Sequence, residues 1–278
     1  MTQGTESVVT DVSSVVNYLG DMQETPVFYA EDRSRDNLHL VPTRVDVRDA
    51  RRLESPAQLE QNGFELVRHE TAVQDFTDQD AALAVYRPEI ERLIGELTGA
   101  SKVAVGNTVL RWSERAGPKQ SFINSDPARF VHVDYSVESF HDFARMHLEG
   151  TPDSETWLRR RYVAYNIWRV ITPPPQDVPL AICDASTTSL DDVTFGEAVI
   201  DAPGSAEFRF GSSLYHANPL HRWYWYSDMR PDEALVFKAF DSDEARVQGC
   251  PHSAFDHPNC PGDVEPRGSV EIRAYAFY

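Results

Sequence analysis

The amino-acid sequence predicts a mainly β protein of the α+β class, with a double-sheet jelly roll as its core. Three observations predict this fold. After Lys102, short runs rich in β-branched and aromatic residues follow one another at close spacing. Clusters of Pro, Gly, Asn and Asp separate these runs, as turns separate the strands of a jelly roll. Before Lys102, a long helical pattern mixes with short strand-like segments, which predicts an N-terminal α/β extension.

The N-terminal extension, residues 1–100, is predicted to contain the longest helix. Residues 1–24 predict a partly mobile arm. Residues 78–98 repeat apolar side chains at helical spacing, with Asp75, Thr77 and Asp78 as candidate capping groups and Gly99 as the stop signal. Helices of this kind typically buttress the outside of a sheet. The strand-like segments of the extension are 26–29, 45–50 and 63–67.

The core, residues 101–278, is predicted to consist of nine short strands and one further helix at 137–148. Because neither an internal repeat nor a convincing linker interrupts the chain, residues 1–278 predict a single domain. Two long segments, 113–127 and 185–206, are expected to be loops that shape a pocket. The predicted strands are 103–112, 129–135, 162–171, 180–184, 207–215, 222–226, 233–240, 246–249 and 269–278.

Composition excludes several classes of protein. The formal net charge of −18 disfavours nucleic-acid binding, because such a surface repels phosphate backbones. No apolar run approaches the length of a membrane span. The three cysteines form no C-x-x-C pair, and this odd, sparse count suits a reducing compartment. We therefore expect a soluble cytoplasmic protein that binds neither nucleic acid nor a membrane.

The candidate metal ligands are a His-x-Asp pair and one distant histidine. His132 and Asp134 lie two positions apart in a strand-like run, so both side chains should project from the same face. His252 follows much later, which leaves room for several intervening strands. Two imidazoles and one carboxylate are the facial triad that holds non-haem Fe(II) and leaves positions open. The sequence thus predicts an iron-dependent oxygenase.

An Arg-x-Ser pair near the C-terminus completes the predicted site. Arg267 and Ser269 share one strand face, where a guanidinium and a hydroxyl could together hold a carboxylate. This pair is predicted to bind the far carboxylate of 2-oxoglutarate. Arg273 shares the same face and is the competing candidate.

Four residues are candidates for contact with the substrate. Asn166 and Arg169 lie in the strand expected next to the metal strand, although three positions apart they face opposite ways in a regular strand. Arg169 is equally well explained as an ion-paired arginine. Trp223 belongs to an aromatic run that suits either core or pocket lining. Lys238 lies inside an apolar run, either at an outward strand position or as an anchor for an anionic substrate.

Several long blocks of the core resemble the CmcJ/AsaB/NvfI-like oxidoreductases, a group that includes gibberellin-desaturase-like proteins. The blocks occur in the same order and cover most of residues 129–278, whereas the resemblance is faint before residue 100. The blocks are RFVHVDYS (129–136), YNIWRV (165–170), PLAICDA (179–185), WYWYSDM (223–229), DEALVFKAFDS (232–242), PHSAFD (251–256) and PRGSVEIR (266–273).

This resemblance implies a double-stranded β-helix and Fe(II)/2-oxoglutarate chemistry with O2 on a small metabolite, often in secondary metabolism. Hydroxylation, desaturation, ring formation and endoperoxidation are the reactions associated with the family. The residues themselves do not distinguish these outcomes, and they leave the substrate and the oligomeric state open.

Three alternatives remain open. Cys250, His252, His257 and Cys260 lie close enough in sequence to form a tetrahedral zinc site, although their spacing matches no recognised knuckle. A cupin-type isomerase would need a metal but no 2-oxoglutarate. A non-catalytic jelly roll would bind a small molecule without either.

Overall fold

Two β-sheets account for most of the regular structure. The computed structural model describes residues 11–116, 124–202 and 204–278. The helices are α1 (Gln79–Thr98), α2 (Val137–His147) and α3 (Ser154–Leu158). The strands are β1 (Val12–Leu19), β2 (Val27–Tyr29), β3 (Leu40–Asp49), β4 (Phe64–Arg68), β5 (Lys102–Trp112), β6 (Asn124–Ser125), β7 (His132–Val133), β8 (Tyr162–Val170), β9 (Leu180–Cys183), β10 (Val193–Ile200), β11 (Phe208–Tyr215), β12 (Trp223–Trp225), β13 (Glu233–Asp241), β14 (His252–Ala254) and β15 (Gly268–Phe277).

The chain crosses repeatedly between the two sheets. The larger sheet has nine strands in the order β1-β3-β12-β9-β14-β7-β11-β10-β2, and the smaller has six in the order β4-β13-β8-β15-β5-β6. Neighbours in space are mostly distant in sequence and mostly antiparallel, as in a jelly roll. The predicted mainly β fold is confirmed. Strands β1 to β4 join these same sheets, while the grouping of residues 1–278 into one domain stays a prediction.

The six-stranded sheet has a largely apolar outer face, and its inner face carries the polar side chains of the site among apolar ones. On β15, Val270 and Ile272 pack with Tyr86 and Ile90 of α1 in one buried cluster. The alternate positions, which begin at Ser269, therefore point to the other side, because successive side chains of a strand face opposite ways. That inner side faces the nine-stranded sheet across a cleft.

Helix α1 covers the outer face, as its apolar repeat predicts. The side chain of Asp78 accepts a hydrogen bond from the backbone N–H of Ala81, and Gly99 ends the helix in the left-handed conformation at φ 71°. Tyr86 and Ile90 of this helix are fully buried. Two of the predicted sequence signals for this helix, its cap and its stop, therefore have the expected geometry.

Two segments predicted to be irregular are strands. The predicted arm, residues 1–24, contains Val12–Leu19, which pairs along its whole length with β3; residues 1–10 lie outside the described part. The predicted loop 185–206 contains Val193–Ile200, paired with β11. Gly196 interrupts its apolar pattern because the carbonyl of Pro26 lies 2.6 Å from where a Cβ would stand. Backbone packing, which a sequence pattern does not reveal, requires that glycine.

Other predicted boundaries also differ. The predicted strand 246–249 is a turn region without strand pairing, held by hydrogen bonds such as that from Gln248 Nε2 to the carbonyl of Asp243. The predicted strand 129–135 is regular only at His132–Val133. Part of the predicted loop 113–127 lies outside the described residues. Within the described ranges, no helix is long and apolar enough to cross a membrane.

Candidate metal centre

The two predicted histidines come from neighbouring strands of the nine-stranded sheet. Strands β7 and β14 are antiparallel, and His252 lies directly opposite His132. Directly opposed residues project from the same face of a sheet. Both imidazoles therefore enter the cleft, while Val131 and Val133 pack into the cluster behind the sheet.

The three predicted ligands converge in the cleft. One donor atom from each of His132, Asp134 and His252 lies within 4.8 Å of the other two. The imidazole centroids are 4.4 Å apart, and Nε2 of His132 lies 3.8 Å from Oδ1 of Asp134. All three side chains are buried. This arrangement is the donor set of a facial triad, and its open side faces the six-stranded sheet.

Backbone carbonyls orient both imidazoles. Nδ1 of His132 lies 2.9 Å from the carbonyl oxygen of Phe130, and Nδ1 of His252 lies 3.1 Å from that of Cys250. A carbonyl only accepts hydrogen bonds, so each Nδ1 must carry the proton and donate it. Each Nε2 then keeps its lone pair for a metal, which is the usual arrangement around metal-bound histidines.

The charge states also suit a cation. Burial, together with the nearby His252, lowers the pKa of His132 to about 3, so this imidazole is neutral near pH 7. Burial alone would raise the pKa of Asp134, but Arg273 and the two histidines outweigh burial and hold that pKa below its ordinary value. The imidazole of His132 and the carboxylate of Asp134 are therefore in the forms that bind metal.

Two side chains of the six-stranded sheet hold Asp134 across the cleft. Nδ2 of Asn166 donates to Oδ2 of Asp134. Arg273 donates from Nε to Oδ2 at 3.2 Å and from Nη2 to Oδ1 at 2.8 Å. Asn166 and Arg273 are opposite each other on β8 and β15. The predicted substrate residue Asn166 thus contacts the candidate ligand, a position that suits orientation of the carboxylate.

We expect Asn166→Ala to weaken metal binding by about 10-fold, the lower end of the effect of losing a partner of a metal ligand. Without the amide of Asn166, Arg273 alone would hold the carboxylate of Asp134, so that carboxylate would rotate more freely. Calorimetric titration with Mn(II) measures the affinity. The matched control is Ser253→Ala, since Ser253 is also buried beside a ligand but its hydroxyl bonds only to the backbone of Ala254. Equal affinities for both variants would contradict the positioning role.

Arg267 is a buried cation that forms no ion pair with any acidic side chain in the described part of the chain. Its Nη1 donates to Oγ of Ser269 at 2.6 Å, and its guanidinium lies 5.7 Å from the ring of Trp168. Its Nε and Nη2 are buried without a hydrogen-bond partner among the described residues. Burial lowers the pKa of Arg267 to about 9. Buried donors are nearly always satisfied, so these two nitrogens fit an absent anion such as a carboxylate.

Arg273, the competing candidate for that carboxylate, is occupied. Besides its two bonds to Asp134, its Nη2 lies 3.2 Å from Oε1 of Glu271. These two acids raise its pKa despite burial. Its charge is thus already balanced by ion pairs, whereas the charge of Arg267 is not. The geometry favours Arg267 and Ser269 for the carboxylate and leaves Arg273 to hold Asp134.

Arg169 does not reach the cleft. It lies on the outer face of the six-stranded sheet, where Nε donates to the hydroxyl of Tyr86 at 2.8 Å. Its Nη1 donates to the carbonyl of His69 at 3.1 Å. Strand alternation separates it from Asn166, three positions earlier. The prediction of Arg169 as a substrate residue is therefore corrected: it joins α1 to the sheet.

Trp223 does not reach the cleft either. It is buried in the cluster behind the nine-stranded sheet, and its Nε1 donates to the hydroxyl of Tyr18 at 2.9 Å. Lys238 is fully buried in an ion-pair network, 2.9 Å from Asp241 and 3.2 Å from Glu60. Both predictions of substrate contact are corrected, because each polar group is already bonded within the protein.

We expect Lys238→Met to lower the free energy of unfolding by about 3 kcal/mol, the cost of removing one partner of a buried ion pair. Asp241, also fully buried, would keep only Arg161 as a close counter-charge. Urea unfolding followed by circular dichroism measures the change. The control is the same replacement at half-exposed Lys102, and a loss no larger than the control's would show that the network adds little.

The zinc alternative finds no geometric support. Among the described residues, His132, Asp134 and His252 are the only group of three or more His, Cys, Asp or Glu side chains with donor atoms in mutual reach. Cys250 is buried with Sγ 3.5 Å from the carbonyl of Asn62, and the ring of His257 packs 5.0 Å from that of Trp225. The four residues of that alternative therefore do not gather around one point.

A cavity reaches the cluster from the side of β2 and β10. Part of its wall, residues 198–200, belongs to the predicted pocket-shaping loop 185–206, which the structure shows as strand β10. Sequence reasoning missed Arg111, for which the available signal was an arginine inside the predicted strand 103–112. The lining includes the ligands His132 and Asp134, the cations Arg33, Arg111 and Arg273, and apolar side chains such as Phe28, Phe130, Ala198, Ile200 and Phe210.

Comparison with known proteins finds a matching family model and several related proteins. A family model described as "Oxidoreductase/YMDC permease-like domain" matches residues 16–277. The hydroxylase/desaturase efuI of Hormonema carpetanum is 30% identical over 251 residues, which cover 84% of this chain and 83% of efuI. The Fe(II)/2-oxoglutarate-dependent dioxygenase nvfI of Aspergillus novofumigatus is 27% identical over 250 residues, covering 88% of this chain and 87% of nvfI.

A solved structure shares the fold. The structure of the iron and alpha-ketoglutarate-dependent endoperoxidase NvfI superposes with a TM-score of 0.84 at 24% sequence identity. The superposition covers 98% of this chain and 99% of that one. At this level of identity the likeness shows the double-sheet fold.

Proposed function

The chain belongs to the oxidoreductase/YMDC permease-like family and to its CmcJ/AsaB/NvfI-like members, and on this premise we propose that it is an Fe(II)- and 2-oxoglutarate-dependent oxygenase of a small metabolite. The observation that carries the proposal is a pair of features facing each other across the cleft. One is the convergent set His132, Asp134 and His252. The other is the buried guanidinium of Arg267, which has two unpartnered nitrogens.

The residues fit the metal and the 2-oxo acid by their own chemistry. His132 and His252 would offer Nε2, and Asp134 one carboxylate oxygen, to Fe(II). Arg267 and Ser269 would receive the far carboxylate of 2-oxoglutarate. When bound, Fe(II), 2-oxoglutarate and O2 supply the oxidising chemistry that removes hydrogen from an unactivated C–H bond.

The protein's part is to bind, orient and exclude water. Asn166 and Arg273 fix the carboxylate of Asp134, and the two backbone carbonyls fix the imidazoles. Apolar walls such as Phe28 and Phe210 limit access of water to the cluster. A protected, low-dielectric cavity strengthens each polar contact inside it and suppresses side reactions.

The test compares 2-oxoglutarate with glutarate, which lacks the keto oxygen, by calorimetry on protein with and without Mn(II). We expect 2-oxoglutarate to bind in a metal-dependent manner and glutarate to bind far more weakly, since only the 2-oxo acid chelates the metal. If the protein binds Mn(II) but the metal changes the affinity for neither acid, the result would favour the cupin-type isomerase instead. Absence of metal binding would favour the non-catalytic jelly roll.

The cellular setting is a further part of the proposal. We place the protein in a reducing cytoplasm, supported by three cysteines that are unpaired in the structure, two of them buried. The net charge of −18 supports a small-molecule partner over nucleic acid. Hydroxylation, desaturation and oxidative cyclisation begin with the same loss of hydrogen, so the product depends on how the cavity walls orient the substrate.

A further inference from the structure

Arg111 lies near both the metal cluster and Arg267. It lies on β5, directly opposite Ser269 of β15, which is the residue that binds Nη1 of Arg267. It lines the same cavity as His132 and Asp134. Its charge acts on both ends of the site, since it contributes to lowering the pKa of His132 and that of Arg267.

The guanidinium of Arg111 is only partly used. Nη1 donates to Oγ of Ser125 and to the carbonyl of Asp126, both at 2.9 Å. Over the ranges that the structure describes, Nε and Nη2 of Arg111 donate to no other residue, and no carboxylate lies within ion-pair distance. Glu271 and Asp134 act on it only from farther away. Two donors of a largely buried cation therefore remain available to a ligand in the cavity.

Among the residues that the structure describes, Arg111 and Arg267 are thus two neighbouring guanidiniums without an acidic partner. Two neighbouring buried cations raise the free-energy cost of burying each other unless anions compensate their charge. The 2-oxo acid of the proposed function is a dianion with one carboxylate at each end. A molecule that extends from the metal cluster to Arg267 has its second carboxylate at the cluster end, on the side of Arg111.

We propose that Arg111 binds the carboxylate at the metal end of the 2-oxo acid, while Arg267 binds the far one. This inference rests on the proposed function. The guanidinium of Arg111 is planar, so the bond from Nη1 to Ser125 also fixes the direction of Nε and Nη2. These two remaining donors can bind a carboxylate. Arg111 would then help to decide how the 2-oxo acid lies beside His132 and Asp134.

The competing explanation is purely structural, because Arg111 also joins β5 to β6 through Ser125. The two explanations differ in what each substitution does. If the contact with Ser125 were the whole role, Ser125→Ala would reproduce the effect of Arg111→Met. If Arg111 binds a carboxylate, Ser125→Ala keeps the cation and its two free donors, so binding of the acid changes little.

The experiment titrates two acids into Mn(II)-loaded protein by calorimetry: 2-oxoglutarate, and 2-oxobutyrate, which lacks the far carboxylate. We expect Arg111→Met to weaken both acids by a similar factor, about 10-fold or more, as for the loss of a hydrogen bond to a charged group. Arg267→Met should weaken 2-oxoglutarate alone. Arg111→Lys should recover part of the affinity, and it replaces the methionine variant if that variant does not melt cooperatively.

The inference is overturned if Arg111→Met binds both acids like the unsubstituted protein, or if Ser125→Ala matches it. Failure of the proposed function looks different: the unsubstituted protein itself would then bind no 2-oxoglutarate. If the protein binds 2-oxoglutarate and the Arg111 substitutions do not change its affinity, the proposed function stands and only the role of Arg111 is rejected.

Discussion

His132→Ala is expected to abolish oxygenase activity and to reduce metal affinity by more than about 100-fold, beyond the effect of losing an outer partner of a ligand. The reason is geometric. His132 supplies one of only three donors in the cluster, and its Nε2 is 3.8 Å from Oδ1 of Asp134. Without it, a metal would keep one imidazole and one carboxylate, too few to outcompete solvent.

Metal titration by calorimetry and measurement of succinate formation from 2-oxoglutarate test this expectation. Folding should persist, because the hydrogen bond from Nδ1 to the carbonyl of Phe130 is worth only about 1 kcal/mol. The control is His257→Ala, a half-buried histidine outside the cluster. Retained metal binding in His132→Ala together with its loss in His257→Ala would revive the zinc alternative.

Arg267→Met is expected to raise the dissociation constant of 2-oxoglutarate by between about 30-fold and a few thousand-fold, which corresponds to about 2–5 kcal/mol for truncating one partner of a buried charge pair. Metal binding should be unchanged, since the described contacts of the Arg267 side chain are with Ser269 and Trp168 and not with the three candidate ligands. The metal-free protein should be no less stable, because the substitution removes a buried cation with two unpartnered nitrogens. Stability and function are then in conflict at this position.

Calorimetric titration measures the affinity, and thermal melting of the metal-free protein measures the stability. Arg273→Met is the informative comparison. Since Arg273 is bonded to Asp134 and Glu271, its loss should weaken metal binding first and affect 2-oxoglutarate through the metal. If Arg267→Met binds 2-oxoglutarate normally and Arg273→Met does not, then Arg273 and not Arg267 binds the far carboxylate of 2-oxoglutarate.

Part of the candidate metal centre could be predicted because its geometry is local. A spacing of two places His132 and Asp134 on one face of any strand. The position of His252 directly opposite His132 could not be predicted in this way, because the register between distant strands depends on turns and on the whole sheet. Sequence indicated that the second histidine comes from another strand, but the pairing of β14 with β7 is visible only in the structure.

The substrate-side predictions failed where two faces of a strand were equally plausible. Alternation separates Asn166 from Arg169, yet it does not say which of the two points inward. The answer depends on α1, whose Tyr86 receives Nε of Arg169 on the outer face. Lys238 was misjudged for a related reason: its partner Asp241 lies beside it only because β13 bulges near residues 238–240. Arg111 was missed because the cavity that it lines forms only where strands distant in sequence, such as β2, β5 and β10, come together.

The central claim, that this cleft holds Fe(II) chelated by 2-oxoglutarate, is tested most directly by anaerobic titration of the metal-free protein with Fe(II) and then 2-oxoglutarate, followed by visible absorption. We predict a weak charge-transfer band that requires both components, is absent in His132→Ala, and needs much more 2-oxoglutarate in Arg267→Met. A well-folded protein that binds both components and shows no band, or an unchanged band in His132→Ala, would contradict the assignment.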